Sequence, residues 1–374
     1  MKKLFAAVLA VCCSLSFFGC SSKEVGVDLT KGEKAKNIIL LIGDGMGPEQ
    51  IRAGELYKGG KLVMEGMKYR VNVETTSMTG VTDSAAGGTA ISTGVRTKNG
   101  YVGKTMGGDD LTTIVDIASG LGKRTGVITT EELFGATPMS FAAHDFARAN
   151  YEELLYSAAT SGNVNLFAGY VFAKDSYLET FTGEGYEYIK GVGAISDATS
   201  EKIVGTYKID ANAPSMSVNP NFVAFDALIK EALEYLSQDE DGFFLMAEGA
   251  HIDHGGHNND IAYMLRELIA FDEGVKVALD WAKEHEDTVV IVSADHETGG
   301  LSLKEGINAK NLFDYNGAVP AYYSWSTDWH TGVDISCFIE GAKIDFTKYS
   351  FGKKDRIKNI DTFEIMKALF VGEV

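Results

Sequence analysis

The stretch "MAEGAHIDHGGH" places Glu248, His251, Asp253, His254 and His257 within ten residues, in a chain that has only 7 His. Imidazole nitrogen beside carboxylate oxygen is a donor set that suits zinc, bound at roughly 2.0–2.2 Å. Other segments have the same character: "SADHETGG" carries Asp295 and His296 side by side, and "DWHTG" supplies His330. Asp44 stands between two glycines in "GDG", where a cation can approach closely. Mixed imidazole and carboxylate favours zinc, an all-oxygen subset favours magnesium, and there are donors enough for more than one ion. Asp253 and His257, four apart, would share one helical face. Gly255-Gly256 argues against a full helix there and for a tight turn. Neighbours in an extended strand point to opposite faces, so the backbone must turn at Asp295 if both Asp295 and His296 are to reach one ion.

A second chemical feature is "VTDSAAGGTA", residues 81–90. Asp83 or Ser84 can cap a helix that runs to about Gly94. A serine at a helix N-terminus also sits where bare amides and the dipole favour an anion. We read Ser84 as cap and nucleophile together and Asp83 as a supporting acceptor. The small residues that follow are read as letting phosphate and metal approach the backbone.

The elements that must position these groups are legible in the apolar runs. "NIILLIG", "GFFLMAEG" and "TVVIVS" read as buried strands, and each runs into a metal-type side chain. Further strands are expected in "VNVETT", "RTGVITT" and "NVNLFAG". Helices are expected from Ser84, in "LTTIVDIASGLG", "ANYEELLYSAAT" and "TFEIMKALF", and over 222–236 and 258–284. Alternation of strand and helix predicts an α/β three-layer sandwich, with a mostly parallel sheet covered on both faces. Ligands of such sheets bind beyond the carboxyl ends of the strands. Residues 170–220 and 301–328 are less periodic and read as insertions near the mouth of the site.

The composition is that of a globular chain: 374 residues, 45% hydrophobic and 23% charged. A formal net charge of −18 repels nucleic acid and anionic membranes, so no nucleic-acid partner is expected. A phosphate substrate would need local cations to overcome that field. The start "MKKLFAAVLAVCCSLSFFGC" has the form of an export signal, too short to span a membrane. Gly19-Cys20 followed by "SSKE" resembles a bacterial lipoprotein cleavage site. That resemblance implies a signal peptide over 1–19, a lipid on Cys20 as the sole membrane attachment and a tether over 20–36, which leaves 37–374 as the folded domain. It further implies a periplasmic or cell-envelope protein. With the signal removed, Cys337 is the one unmodified cysteine, so no internal disulfide is expected.

The motifs "GDGMG", "VTDSAAGGTAISTG", "ATP", "HDFAR", "EGAHIDHGGH", "ADH" and "HTG" follow one another from residue 43 to residue 332. In that order they resemble the metal-dependent alkaline phosphatases, phosphomonoesterases with two zinc ions and one magnesium ion. The resemblance implies that Asp253, His257 and His330 hold the first zinc. It implies that Asp44, Asp295 and His296 hold the second, beside Ser84, and that Asp44, Thr137 and Glu248 hold magnesium. Arg148 matches the arginine that clamps two phosphate oxygens. A phosphoserine intermediate at Ser84 and a homodimer are implied in the same way. Some relatives carry Asp two residues before the threonine of "ATP", where this chain has Gly135, which weakens the expected support of magnesium. His254 is read as contacting phosphate through water or as supporting the site from behind. His251 and His144 are read as structural, and His285 as a solvated helix residue. Tyr322, Tyr323, Trp325 and Trp329 either pack or line the substrate mouth.

Other hydrolases of the superfamily are the competing reading. Arg148 favours a monoester, because a diester cannot offer it two equivalent non-bridging oxygens. A sulfatase would carry a Cys/Ser-x-Pro-x-Arg setting, whereas Ser84 is followed by Ala-Ala-Gly. A non-catalytic metal- or phosphate-binding lipoprotein would not need the complete ligand set.

Overall fold

The computed structural model describes residues 34–170, 174–207, 224–308, 313–314, 317–318, 320–343 and 355–372. The expected export signal, Cys20 and nearly all of the expected tether lie outside the described residues.

Ten strands form one sheet among the described residues. They are β1 (Asn37–Gly43), β2 (Tyr69–Glu74), β3 (Arg124–Glu132), β4 (Leu166–Tyr170), β5 (Glu187–Lys190), β6 (Ile203–Tyr207), β7 (Phe243–Gly249), β8 (Thr288–Ser293), β9 (Ile335–Gly341) and β10 (Arg356–Lys358). Their order is β10-β2-β9-β8-β1-β7-β3-β4-β6-β5. Only β9 runs against its neighbours; every other pairing is parallel. The central strands β1, β7 and β8 are buried along their whole length. This explains their unbroken apolar runs: helices cover both faces, so neither face can be polar.

Registers align the strand ends. Ile42 pairs with Glu248 on one side and with Ser293 on the other, and Thr129 pairs with Glu248. The four adjacent strands β8, β1, β7 and β3 therefore stop at nearly the same level. Asp295-His296, Asp44, Glu248 and the loop leading to Thr137 emerge together at that edge.

Among the described residues the helices are α1 (Pro48–Lys58), α2 (Ser84–Thr93), α3 (Ile114–Gly120), α4 (Ala136–Ala142), α5 (Tyr151–Ser161), α6 (Asp175–Gly183), α7 (Phe225–Leu236), α8 (His251–His257), α9 (Ile261–Glu284) and α10 (Asn359–Val371); α2, α3, α5, α7, α9 and α10 lie where helices are expected, whereas α4, α6 and α8 are additional. Helix α2 ends where expected, at Gly94 in the left-handed conformation (φ 73). The described part of 170–220 is more regular than expected. It forms α6 and the strands β5 and β6, which extend the sheet at one edge. The described part of 301–328 holds short elements: Ser302–Leu303 pairs with Tyr323–Ser324, Phe313–Asp314 pairs with Gly317–Ala318, and Pro320–Tyr322 is a 3-10 turn. No helix among the described residues is long and apolar enough to cross a membrane. Cys337 is buried and unpaired on β9.

One expectation fails. "HIDHGGH" is a helix, α8, and not a tight turn. Its glycines are required by packing: a Cβ on Gly255 would lie 2.5 Å from the Met264 nitrogen, and one on Gly256 would lie 2.8 Å from the Thr298 carbonyl oxygen. Tertiary contact thus outweighs the low helix propensity of glycine. Gly255→Ala should lower the unfolding free energy by about 1–3 kcal/mol, the usual cost of overpacking, although alanine is the better helix former. Urea denaturation of the two proteins checks this.

Candidate metal centre and serine site

Two groups of side chains converge at the strand ends. In the first, one ligand atom each of Asp253, His257 and His330 lies within 4.8 Å of the others. Helix α8 brings Asp253 and His257 onto one face, with Nε2 of His257 3.2 Å from Oδ2 of Asp253. The Nε2 atoms of His330 and His257 are 3.2 Å apart. Their Nδ1 atoms are committed elsewhere: that of His257 lies 2.6 Å from the Asp328 carbonyl oxygen and that of His330 2.9 Å from that of Thr82. A carbonyl only accepts, so each Nδ1 is the donor and each Nε2 is left to face the cluster. Gly45, at φ +72, permits this approach: a Cβ there would be 2.8 Å from the Asp253 Cα.

Asp44, Asp295 and His296 form the second group, again within 4.8 Å. Nε2 of His296 lies 3.2 Å from Oδ2 of Asp295, 3.6 Å from Oδ1 of Asp44 and 3.2 Å from Oγ of Ser84. The chain leaves the sheet after Ser293, so Asp295 and His296 do reach one point, as the two motifs required. The rings of His296 and His330 stack at 3.6 Å, so the two groups share a wall.

Oδ1 of Asp44 and Oδ2 of Asp295, from the second group, and Oγ1 of Thr137 and Oε1 of Glu248 beside it are buried with no well-formed hydrogen bond. Buried polar atoms are seldom left so. Burial and the charges of Asp295, Asp253 and Glu248 hold the Asp44 carboxyl well above the usual carboxylate range. Burial, then the charge of Glu131, does the same to Glu248. Burial and Asp253 push Asp295 up to about 6. Burial holds His296 and His330 down to about 4, in the neutral form that ligates metal. Asp253 is the exception: burial opposes ionisation, yet the His257 hydrogen bond and the facing imidazoles hold its carboxyl well below the usual range. Too many buried acids with too little positive charge is the electrostatic signature of a site built for cations. The donors fit: nitrogen with oxygen in the two groups suits zinc, and the oxygens of Asp44, Thr137 and Glu248 are donors of the kind a harder ion takes.

Ser84 is buried, and it is the first residue of α2. Its expected role as the cap is not observed: Asp83 is the cap, its Oδ1 accepting from the Ala86 amide at 3.0 Å. The other carboxylate oxygen of Asp83 accepts from the Gly100 amide at 2.9 Å and from Arg148 at 3.5 Å. Asp83 therefore ties together the helix start, the loop at 100 and the arginine. Burial works against the Arg148 charge, but Asp83, Asp44 and Glu131 outweigh it and keep the guanidinium protonated. Among the small residues after Ser84, Gly87 and Gly88 are needed for packing. A Cβ on Gly87 would lie 3.1 Å from the Asp295 carbonyl oxygen, and one on Gly88 3.0 Å from the Ser140 side chain.

His254 belongs to neither group; its Nε2 lies 3.4 Å from Oε2 of Glu131. Burial would lower its pKa, but the bond to Glu131 and the charges of Glu131 and Asp253 raise it to about 9. His251 is held between the Tyr263 hydroxyl (2.7 Å) and the Thr130 carbonyl (3.1 Å), and His144 lies 2.8 Å from the Leu111 carbonyl. His285 is exposed but stacks on Trp281 at 3.8 Å. Trp329 is exposed and stacks on His330 at 4.8 Å, while Trp325 packs against Gly299. Sequence reasoning missed Glu131, and also Thr298, whose hydroxyl bonds both Asp253 and His296. It also missed Glu297, which joins Gln50 and Thr331 beneath the site. The "SADHETGG" motif contains Glu297 and Thr298, but only the pairing of Glu297–Thr298 with His330–Thr331 shows their use.

Two outcomes follow from this geometry. Asp83→Ala should lose about 1 kcal/mol of unfolding free energy, and Asp83→Asn, which keeps the cap, should recover most of it in chemical denaturation. Removal of divalent cations by a chelator should lower the melting temperature, and zinc at about 100 times its Kd should restore about 2.7 kcal/mol per site.

Comparison with known proteins identifies the family of the chain. The family model for alkaline phosphatase matches residues 35–212 and 178–320. Alkaline phosphatase 3 of Bacillus subtilis (strain 168) is 31% identical over 327 residues, which is 81% of this chain and 70% of that protein. The alkaline phosphatase of the Antarctic bacterium TAB5 superposes with a TM-score of 0.78 at 30% identity, covering 91% of this chain and 100% of the other. A variant of the TAB5 enzyme solved with magnesium in its M3 site has a TM-score of 0.76 at 29% identity, covering 90% and 98%. The chain belongs to the alkaline phosphatase family, hydrolases of phosphate monoesters.

Proposed function

We propose that the protein cleaves phosphate monoesters through a phosphoserine at Ser84, with zinc at the first two groups and magnesium at Asp44, Thr137 and Glu248. The observation that carries this reading is the position of Ser84 Oγ, 3.2 Å from His296 Nε2 and at the N-terminus of α2. When bound, the cations supply charge that stabilises the serine alkoxide and the departing alkoxide.

The residues of the chain do the rest. Ser84 gives up its hydroxyl proton, and Oγ attacks phosphorus. The bond from phosphorus to the ester oxygen breaks, and that oxygen leaves as the alcohol after taking a proton. Water then attacks the phosphoserine from the vacated side, releasing inorganic phosphate and returning the proton to Ser84. In α2, Asp83 takes the Ala86 amide through its side chain and the Gly87 amide through its carbonyl. The amides of Ser84 and Ala85 make no bond among the described residues, so they face the incoming phosphoryl oxygens. Arg148 meets Asp83 only at 3.5 Å and its side chain is 41% exposed, so donors remain for two equatorial oxygens. Trp329, stacked on His330 at the surface, offers an apolar platform to the leaving group. From the N-terminal sequence and the family resemblance we extend the proposal to export, anchoring by lipid on Cys20 and homodimerisation.

Hydrolysis of an aryl phosphate, its diester and its sulfate tests the reading. The monoester should be cleaved fastest, and Ser84→Ala should lower kcat/KM by at least ~10³-fold, as loss of a nucleophile does. Faster cleavage of the diester, or full activity of Ser84→Ala, would sink it.

A further inference from the structure

Glu131 is used by neither zinc group nor by the serine. It lies near the end of β3, in the segment that leads to Thr137. Its Oε1 occupies the space that a side chain at position 135 would need: a Cβ on Gly135 would be 2.3 Å away. Its Oε2 faces Nε2 of His254 at 3.4 Å, and the side chain is only 14% exposed. Its amide donates to Oγ1 of Thr129 at 3.1 Å, and the same hydroxyl donates to Oε2 of Glu248 at 2.5 Å. One strand end thereby fixes Glu131 relative to Glu248, while Gly135 caps the helix whose second residue is Thr137.

A carboxylate in this place adds negative charge beside Asp44 and Glu248, both of which feel it. The ion pair with His254 accounts for Oε2 alone, and Oε1, which fills the space above Gly135, accepts no hydrogen bond among the described residues. The unpartnered oxygens of Asp44, Thr137 and Glu248 amount to half the octahedron of a magnesium ion, which keeps several waters. Those waters need acceptors, and outer partners of this kind strongly affect metal affinity.

We propose that Glu131 is a positioning residue for the cation at Asp44, Thr137 and Glu248. Its carboxylate accepts hydrogen bonds from waters of the cation's shell, and the missing side chain of Gly135 gives it the room to do so. The inference rests on the reading of those three residues as a magnesium site.

Calorimetric titration of magnesium into zinc-loaded, magnesium-free protein tests it. Glu131→Ala should weaken magnesium binding by about 10- to 100-fold, with zinc content unchanged. Glu131→Gln, which keeps an acceptor oxygen but loses the charge, should fall between. Gly135→Asp alone should also weaken binding, because two carboxyl groups then claim one space. The double variant Glu131→Ala with Gly135→Asp should bind more tightly than Glu131→Ala. Magnesium affinity of the wild-type level in a folded, zinc-loaded Glu131→Ala protein would overturn the inference and leave the magnesium site standing. So would a double variant no tighter than Glu131→Ala. If the wild-type protein itself took up no magnesium, the site and the inference would fall together.

Discussion

The constraint on which the rest depends is the burial of like charge. Asp44, Glu248, Asp253 and Asp295 are all buried at one edge of the sheet. Carboxylates at such separations, removed from water, repel strongly, and Asp44, Glu248 and Asp295, which lack the imidazole partner that Asp253 has in His257, are expensive to ionise. A fold that keeps them together must receive positive charge from outside the chain or pay in stability. The nearby protein cations answer only part of this charge: His257 pairs with Asp253, His254 with Glu131 and Arg148 with Asp83, while burial keeps His296 and His330, which face Asp44 and Asp295, in the neutral form. The parallel sheet makes the arrangement possible, because β8, β1 and β7 end in register and deliver Asp295, Asp44 and Glu248 from a rigid frame, with Asp253 on the helix that follows β7.

Asp83 is the second organising point. It joins the start of α2, the Gly100 amide and the Arg148 guanidinium. The serine that begins the helix and the arginine that would clamp phosphate are thus positioned by one carboxylate. The glycines of α2 then let the helix lie directly on Asp295 and Ser140, which sets Ser84 against His296.

Much of this was legible in the sequence. The apolar runs ending in "GDG", "AEG" and "ADH" identified the sheet and the edge at which chemistry would gather, because a strand buried on both faces can show polarity only where it stops. What sequence reasoning misjudged depends on contacts between distant residues. Helix α8 looked like a turn because Gly255 and Gly256 have poor propensity; their reason is the closeness of Met264 and Thr298. Strands β5 and β6 looked irregular because they are short and lie at or near the edge of the sheet, where Tyr188 is exposed. Glu131 gave no signal at all. Its place follows from a side chain absent four residues later, which becomes meaningful only when the backbone is folded.

The central claim is that the strand-end acids are held together around bound cations. Diffraction at the zinc absorption edge, from crystals grown with zinc and magnesium, tests it most directly. The account predicts two anomalous peaks, one among Asp253, His257 and His330 and one among Asp44, Asp295 and His296, with none beside Thr137. Crystals that showed no peak at either group, with the acids and imidazoles bonded only to one another, would contradict it.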